Sequence, residues 1–122
     1  MFEFFKSDHK SSNQDQIRID FESKEQWADL MELSNKQPIY IFKHSSRCGI
    51  SSMVLSRFEK QVKERKETYF YLHIQGFRSL SNWLATELGI RHESPQLIIL
   101  KNEKVLAHDS HYALLELTDS FN

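Results

Sequence analysis

Cysteine is nearly missing from this chain, which contains a single one, Cys48, among 122 residues. One cysteine cannot form an internal disulfide, so the sequence excludes the small extracellular domains that disulfides hold together. An export signal is also missing, because Glu3 and Lys6 interrupt the aromatic N-terminus before the roughly 7 to 15 apolar residues of a signal-peptide core. We therefore expect a free thiol in a reducing cytoplasm.

An excess of one charge and a long hydrophobic run are both lacking. The 16 Lys and Arg residues nearly balance the 17 Asp and Glu residues, for a formal net charge of -1. This balance gives no electrostatic reason to expect a nucleic-acid partner or an anionic membrane, and no stretch resembles the about 20 apolar residues of a transmembrane helix. The length fits one domain, since domains typically run roughly 100 to 200 residues, and we expect a monomer.

The first part of the chain also lacks what a core requires. Residues 6–16 carry no apolar side chain and have nothing to bury. We interpret residues 1–16 as a mobile N-terminal tail and linker, in which a short aromatic tip precedes the polar stretch. The folded domain is then expected to span residues 17–122.

Apolar spacing in the domain alternates between the periods of strands and helices. Alternating or continuous apolar residues predict strands near residues 17–21, 38–44, 69–74, 94–101 and 104–108. Spacings of three and four predict helices near residues 23–34, 48–67, 80–88 and 110–117. Asn102 and Glu103 join the last two strands, which is too short for a crossover and right for an antiparallel hairpin. The order β-α-β-α-β-α-β-β-α predicts an α/β fold, a three-layer α/β/α sandwich with a mixed sheet.

Local signals mark the ends of three of these helices. Ser23 and Gln26 have the spacing of a capping box at the start of the first helix. Gly89 can end the third helix by adopting the left-handed conformation. Ser110 is a candidate cap for the last helix, which would then run through Leu117.

Cys48 lies at the junction of the second predicted strand and the second predicted helix. Open α/β sheets build their sites at the carboxyl ends of strands, and the unpaired N–H groups at a helix start favour the thiolate over the thiol. Arg47, Lys43 and His44 add nearby positive charge, and Gly49 leaves the approach to the sulfur uncrowded. A lone cysteine is more often a small buried hydrophobe, but this position favours a nucleophilic thiolate.

Two further features accompany the cysteine. Ser51 stands three residues after Cys48, where a second thiol would close an internal disulfide, and it either only occupies the first helical turn or donates a hydrogen bond to the thiolate. Pro95 opens the fourth predicted strand. In this order of elements a cis-proline before the penultimate strand recurrently accompanies a redox thiol, so we predict a cis Ser94–Pro95 bond, although only about 5 to 6% of X–Pro bonds are cis. The alternative is that Pro95 merely marks a strand start.

Three separated motifs resemble the single-cysteine bacilliredoxin family, the bacillithiol-system redox-active proteins of the thioredoxin superfamily. They are "IFKHSSRCGIS" (41–51), "RHESPQLIILKN" (91–102) and "HDSHY" (108–112). The resemblance extends from about Ile17 to the C-terminus and implies a thioredoxin-like fold. It also implies a monothiol thiol-disulfide oxidoreductase that removes bacillithiol from protein mixed disulfides through nucleophilic Cys48. Gly49 departs from the family pattern, in which Pro follows the cysteine, and this change is expected to alter the reactivity of the thiol.

The resemblance further implies partners and site residues. The substrates would be bacillithiolated proteins, bacillithiol would be the thiol co-substrate with no tightly bound cofactor, and bacillithiol or a reductase would restore Cys48. Because bacillithiol carries a malate group, a cationic contact is expected, for which Arg47 is the first candidate and Arg91 and His92 are second; Arg47 is as readily a solvated surface charge. The residues expected to contact substrate are Arg47, Gly49, Ile50, Ser94 and Pro95, and those expected to tune the thiolate are His44, Arg47 and Ser51.

Rival functions can be weighed on spacing. A phosphatase or arsenate-reductase loop of the Cys-x5-Arg type would need arginine at Val54 and is excluded. Ser45 fits a peroxidase pattern, but the arginine that would polarise a peroxide is not identifiable. His108 and His111 have a metal-compatible spacing without an accompanying cysteine pair or acidic cluster, so no metal site is expected. The remaining alternative is a redox-inert thioredoxin-fold protein-binding or stress-related interaction module, in which Cys48 would alkylate like an ordinary thiol.

Overall fold

The computed structural model describes residues 17–120, so the predicted tail at residues 1–16 lies outside the described residues. Within them the order of elements is the one that the sequence predicts. The strands are β1 (Arg18–Asp20), β2 (Ile39–His44), β3 (Tyr69–His73), β4 (Gln96–Lys101) and β5 (Lys104–Ser110). The helices are α1 (Trp27–Ser34), α2 (Gly49–Glu64), α3 (Arg78–Leu88) and α4 (Leu114–Ser120), with 3-10 turns at Lys24–Gln26 and His111–Ala113 leading into α1 and α4. No helix in residues 17–120 combines the length and the apolar character that crossing a bilayer requires.

The strands form one mixed sheet in the order β1-β3-β2-β4-β5. β1, β3 and β2 run parallel to one another, whereas β4 is antiparallel to both β2 and β5. β2 is thus paired on both sides, and all 6 of its residues are buried, as its apolar run predicts. Because parallel strands end at the same edge of a sheet, the segments that follow β1, β2 and β3 meet there.

Side chains alternate across β2 into two hydrophobic layers. Ile39 and Ile41 belong to a cluster that α1 and α3 cover. Tyr40 and Phe42 belong to a second cluster on the opposite face, which α2 and α4 cover. Helices therefore cover both faces of the sheet, and the predicted three-layer α/β/α sandwich is confirmed.

Several local signals are confirmed as well. Gln26 Oε1 accepts a hydrogen bond from the Ser23 backbone N–H at 3.1 Å, which is one half of the predicted capping box. Gly89 has a φ of 67°, in the left-handed region, and ends α3. Asn102 and Glu103 have φ angles of 55° and 62°, as a two-residue type I′ hairpin turn between β4 and β5 requires.

The start of the last helix differs from the prediction. Ser110 precedes the 3-10 turn, but its hydroxyl donates a hydrogen bond to the Glu93 carboxylate and makes no side-chain cap. α4 then continues to Ser120 instead of ending at Leu117. The capping prediction was wrong because the hydroxyl has a partner in another segment of the chain, which helical spacing alone cannot indicate.

Candidate active site

Cys48 is the N-cap residue of α2 and has an extended backbone, with φ -115° and ψ 116°. Its N–H donates to the Ser45 carbonyl at 3.3 Å, and its carbonyl accepts from the Ser51 N–H at 3.0 Å, so hydrogen bonds fix both sides of the turn. The cysteine is half-buried, while Gly49 and Ile50 beside it are exposed. Cys48 thus lies at the positive end of a 16-residue helix, where the sequence places it.

Gly49, the departure from the family pattern, is the first residue of α2. A Cβ atom placed on it would meet no atom within 4 Å. Neither the surrounding space nor a left-handed backbone therefore requires glycine at this position. The first helical position is also the one where proline is best tolerated in a helix.

The residues that precede Cys48 are held by side chains from other segments. Ser51 Oγ accepts a hydrogen bond from the Ser45 N–H at 3.1 Å. Gln75 Nε2 donates to Ser45 Oγ at 2.8 Å, and Gln75 Oε1 accepts from the Ser46 N–H at 2.9 Å. Ser45 Oγ also accepts from the Arg47 N–H at 3.3 Å. The loop is therefore anchored by α2 on one side and by the β3–α3 connection on the other.

Ser51 is fully buried, and its Oγ is hydrogen-bonded to His44 Nδ1 at 2.8 Å. The His44 ring is buried beside Tyr71 and His73, with ring centroids 5.9 and 6.1 Å away. Burial lowers the pKa of His44, the charges of His73 and Arg18 lower it further, and Glu59 opposes them. His44 is consequently neutral near pH 7, so it does not supply the positive charge that the sequence suggested.

The candidate cations lie in two different connections of the chain. Arg47 is exposed next to Cys48. Arg91 is also exposed, but it lies in the α3–β4 connection. His92 is half-buried against α3, where its Nδ1 is 3.5 Å from Ser81 Oγ. Burial and the charges of Lys43 and Arg78 lower the pKa of His92, so it is neutral near pH 7 as well. Among these three candidates, Arg47 is the one that is both exposed and next to Cys48 in the chain.

The Ser94–Pro95 peptide bond is cis, as predicted. In the antiparallel pairing of β2 with β4, Gln96 lies opposite Lys43, so Pro95 lies beside the end of β2 from which the chain leads to Cys48. The Pro95 carbonyl accepts a hydrogen bond from the His111 N–H at 3.0 Å. The register thereby brings the cis-proline to the same edge of the sheet as the cysteine.

The comparisons with known proteins agree with this geometry. A family model described as "Monothiol bacilliredoxin BrxC" matches residues 19–117. The chain belongs to the monothiol bacilliredoxin family. The resemblance in the sequence is therefore confirmed, and this bacilliredoxin is a thiol oxidoreductase by family and fold.

Solved structures show the same fold as this bacilliredoxin. A protein described as a proposed oxidoreductase with a thioredoxin fold is 27% identical, with a TM-score of 0.74 over 84% of this chain and 94% of that one. Spinach chloroplast thioredoxin f in its long form is 20% identical, with a TM-score of 0.68 over 86% and 84% of the two chains. Thioredoxin from Trypanosoma brucei brucei is 17% identical, with a TM-score of 0.69 over 92% and 96%. The last two likenesses show the fold alone.

Two polar residues of this bacilliredoxin have surroundings that the sequence analysis did not predict. Gln75, which follows β3, hydrogen-bonds to the loop before Cys48. Lys43 is fully buried in β2, and its Nζ has no hydrogen-bond partner. A sequence signal existed for both, because Gln75 follows a parallel strand at the edge that carries Cys48, and Lys43 lies within an apolar run read as buried on both faces. Spacing alone could predict neither the partners of Gln75 nor the lack of a partner for Lys43 Nζ.

Metal chemistry has no prepared site in the described part of the chain. No three His, Cys, Asp or Glu side chains in residues 17–120 lie close enough together to hold a metal ion. His108 lies on the edge strand β5, and His111 starts the 3-10 turn before α4 with a φ of 56°. Within the described residues, no third ligand therefore lies close enough to these two histidines to complete a metal site.

Proposed function

We propose that this bacilliredoxin removes bacillithiol from protein mixed disulfides in the cytoplasm, with Cys48 as the nucleophile. The observation that carries the proposal is the position of Cys48, which is the single cysteine of the chain and the N-cap of α2, at the sheet edge that carries the cis-proline. Unpaired N–H groups at the start of a helix stabilise a thiolate, which is the form that attacks disulfides.

The first step is an exchange of one disulfide for another. The Cys48 thiolate attacks the bacillithiol sulfur of the mixed disulfide, the bond between that sulfur and the target protein breaks, and a mixed disulfide of Cys48 and bacillithiol forms. The target cysteine leaves as a thiolate and takes up a proton. No net oxidation occurs in this step, since one disulfide bond replaces another.

The second step needs a thiol from solution. Ser51 occupies the position of a resolving cysteine, so this chain has no second thiol to expel bacillithiol from Cys48. A second bacillithiol thiolate, or the thiolate of a reductase, attacks the bacillithiol sulfur on Cys48 and releases Cys48 as a thiolate. With bacillithiol as the attacking thiol, the other product is bacillithiol disulfide.

Substrate contacts are assigned to the exposed surface around the cysteine. Arg47 would bind the malate carboxylates, because it is exposed next to Cys48 in the chain and guanidinium groups suit carboxylates. The exposed Gly49 and Ile50 would contact the target beside the sulfur; the Ile50 side chain is 40% exposed and therefore accessible to a partner. Ser94 would pair through its backbone carbonyl and N–H with an extended segment of the target protein, which Pro95 would contact beside it.

The test uses a purified protein that carries one bacillithiol adduct, with adduct loss and the Cys48 adduct followed by mass spectrometry. The unmodified chain should remove the adduct and become bacillithiolated on Cys48, and Cys48→Ala should abolish removal. Ser52→Ala is the matched control, because Ser52 is exposed in the same turn of α2 and should leave the rate unchanged. Removal at the full rate by Cys48→Ala, or no reaction of the unmodified chain at neutral pH, would favour the redox-inert interaction module instead.

A further inference from the structure

Gln75 is the residue through which the β3–α3 connection contacts the loop before Cys48. Its amide both accepts and donates hydrogen bonds. Oε1 accepts from the Ser46 N–H at 2.9 Å and from Ser46 Oγ at 3.2 Å, and Nε2 donates to Ser45 Oγ at 2.8 Å. Ser45 Oγ in turn accepts from the Arg47 N–H at 3.3 Å. One side chain thus bonds directly to Ser45 and Ser46, and it reaches the Arg47 N–H through Ser45 Oγ.

Besides Gln75, the loop is contacted by His73 of β3, whose Nε2 is 3.2 Å from Ser46 Oγ, and by Ser51 of α2. Ser46 and Arg47 are exposed, and Ser45 is half-buried. The loop lies between β2 and α2 and contains neither proline nor a large apolar side chain. Water could satisfy the same exposed polar groups, so the contacts to Gln75 select one conformation of the loop more than they add to the stability of the domain.

The second anchor of the loop lies within α2 itself. Ser51 Oγ accepts a hydrogen bond from the Ser45 N–H at 3.1 Å and is also hydrogen-bonded to His44. That anchor ties the loop to elements that are its own neighbours in the chain. Gln75 is different, because it is 29 residues from Ser46 and bonds to both Ser45 and Ser46, whereas His73 of β3 contacts Ser46 Oγ alone.

We propose that Gln75 is a positioning residue for thiol-disulfide exchange, which holds the Ser45–Arg47 loop so that Cys48 is presented in one orientation. Disulfide exchange requires the attacking sulfur to approach along the bond that breaks, and reactions of this kind lose rate steeply when the attacking atom is misplaced. The inference rests on the exchange chemistry proposed above, but not on the identity of the small thiol.

The experiment compares Gln75→Ala with Gln61→Ala as a matched control. Gln61 also bridges two elements through both ends of its amide, since Nε2 donates to the Leu115 carbonyl at 3.1 Å and Oε1 accepts from Thr118 Oγ1 at 2.8 Å. It joins α2 to α4 and does not touch the loop before Cys48. Steady-state removal of bacillithiol from the modified protein, thermal unfolding, and alkylation of Cys48 by iodoacetamide are measured for each variant.

Gln75→Ala should lower kcat by about tenfold with less than a twofold change in KM, because the loop is loosened without removing a substrate contact. Its loss of Tm should not exceed that of Gln61→Ala, which should keep the full kcat. Gln75→Glu keeps the acceptor for Ser46 but places a negative charge by the loop, so the pH midpoint of Cys48 alkylation should rise relative to the unmodified chain.

A Gln75→Ala variant with the kcat of the unmodified chain would overturn the inference. An equal loss of kcat in Gln61→Ala would also overturn it, because the loss would then reflect lower stability of the domain and not the position of the loop. The alkylation measurement separates this inference from the proposed function. If the unmodified chain does not act on the bacillithiol mixed disulfide, the proposed function fails, and the role of Gln75 is then decided by alkylation. If the alkylation rates and pH midpoints are then equal in the unmodified chain and both Gln75 variants, the positioning role of Gln75 is overturned.

Discussion

Replacing the buried Lys43 should increase the stability of this domain. It lies in β2, opposite Leu72 of β3 and Gln96 of β4. The residue is 0% exposed, and its Nζ has no hydrogen-bond partner. Burial lowers the pKa of Lys43 from 10.5 to about 8, so near pH 7 the folded protein keeps an unpaired ammonium group away from water.

The folding free energy lost by burying this charge follows from the change in pKa. Lowering the pKa of Lys43 from 10.5 to about 8 corresponds to about 3 kcal/mol of folding free energy at neutral pH. Lys43→Met removes the charge and keeps a long unbranched side chain, so we expect the free energy of unfolding at pH 7 to rise by about 2 to 3 kcal/mol. For a domain of this size that is roughly a 10 °C increase in Tm.

The gain should depend on pH in a defined direction. In the unfolded chain Lys43 keeps its proton up to its ordinary pKa of 10.5, whereas in the folded protein it loses the proton near pH 8. Between these values the unfolded state binds more protons, so the stability of the unmodified protein rises with pH. The advantage of Lys43→Met should therefore be complete below about pH 8 and shrink steadily towards pH 10.5.

Urea unfolding followed by circular dichroism at pH 7 and pH 10 would measure both effects. Lys101→Met is the matched control, because Lys101 is an exposed residue at the end of β4, and its replacement should change stability by less than about 0.5 kcal/mol. A Lys43→Met variant that is less stable than the unmodified protein at pH 7, or a gain that stays constant with pH, would refute the reasoning. The ammonium group would then be compensated inside the protein.

Three further changes test the site around Cys48. Gly49→Pro should raise the free energy of unfolding by about 0.5 to 1 kcal/mol, because proline suits the first helical position and restricts the unfolded chain; a lower Tm in differential scanning calorimetry would contradict this. Ser51→Ala should cost about 1 to 3 kcal/mol in chemical unfolding, because it leaves the His44 ring and the Ser45 N–H without their buried partner, and it should slow the removal of bacillithiol without abolishing it, because the loop before Cys48 loses one anchor. Ser51→Cys should form an internal disulfide with Cys48 that releases bacillithiol, detected as a loss of mass after reaction with the mixed disulfide, and a persistent Cys48 adduct would count against it.

Much of the fold was predictable, because its determinants are local or periodic. The apolar run of β2 and the four-residue spacing of Val54, Phe58 and Val62 in α2 predict a buried strand followed by a helix. Cys48 is placed at the sheet edge by that order alone. The cis bond before Pro95 followed from the association of this order of elements with redox thiols, and it is present.

The polar contacts were not predictable in the same way. The cap assigned to Ser110 failed because Glu93, 17 residues earlier, accepts its hydrogen bond. Gln75 contacts Ser45 and Ser46 across 30 and 29 residues, and such pairings depend on side-chain distances that no repeat in the sequence encodes. A polar residue has several possible partners at a sheet edge, whereas an apolar residue only has to point inwards, so hydrophobic patterning predicts the core better than the site.

Ser51 shows how the monothiol chemistry and the shape of the site depend on the same position. Its hydroxyl is fully buried and connects His44, at the end of β2, to Ser45, at the start of the loop that leads to Cys48. A thiol at this position would supply the missing resolving group, but sulfur is a weak hydrogen-bond acceptor, so the anchor of the loop would weaken. A second cysteine would therefore change the orientation of Cys48 as well as the number of thiols. Ser51 therefore does more than replace a resolving cysteine, because its hydroxyl anchors the loop that precedes the nucleophile.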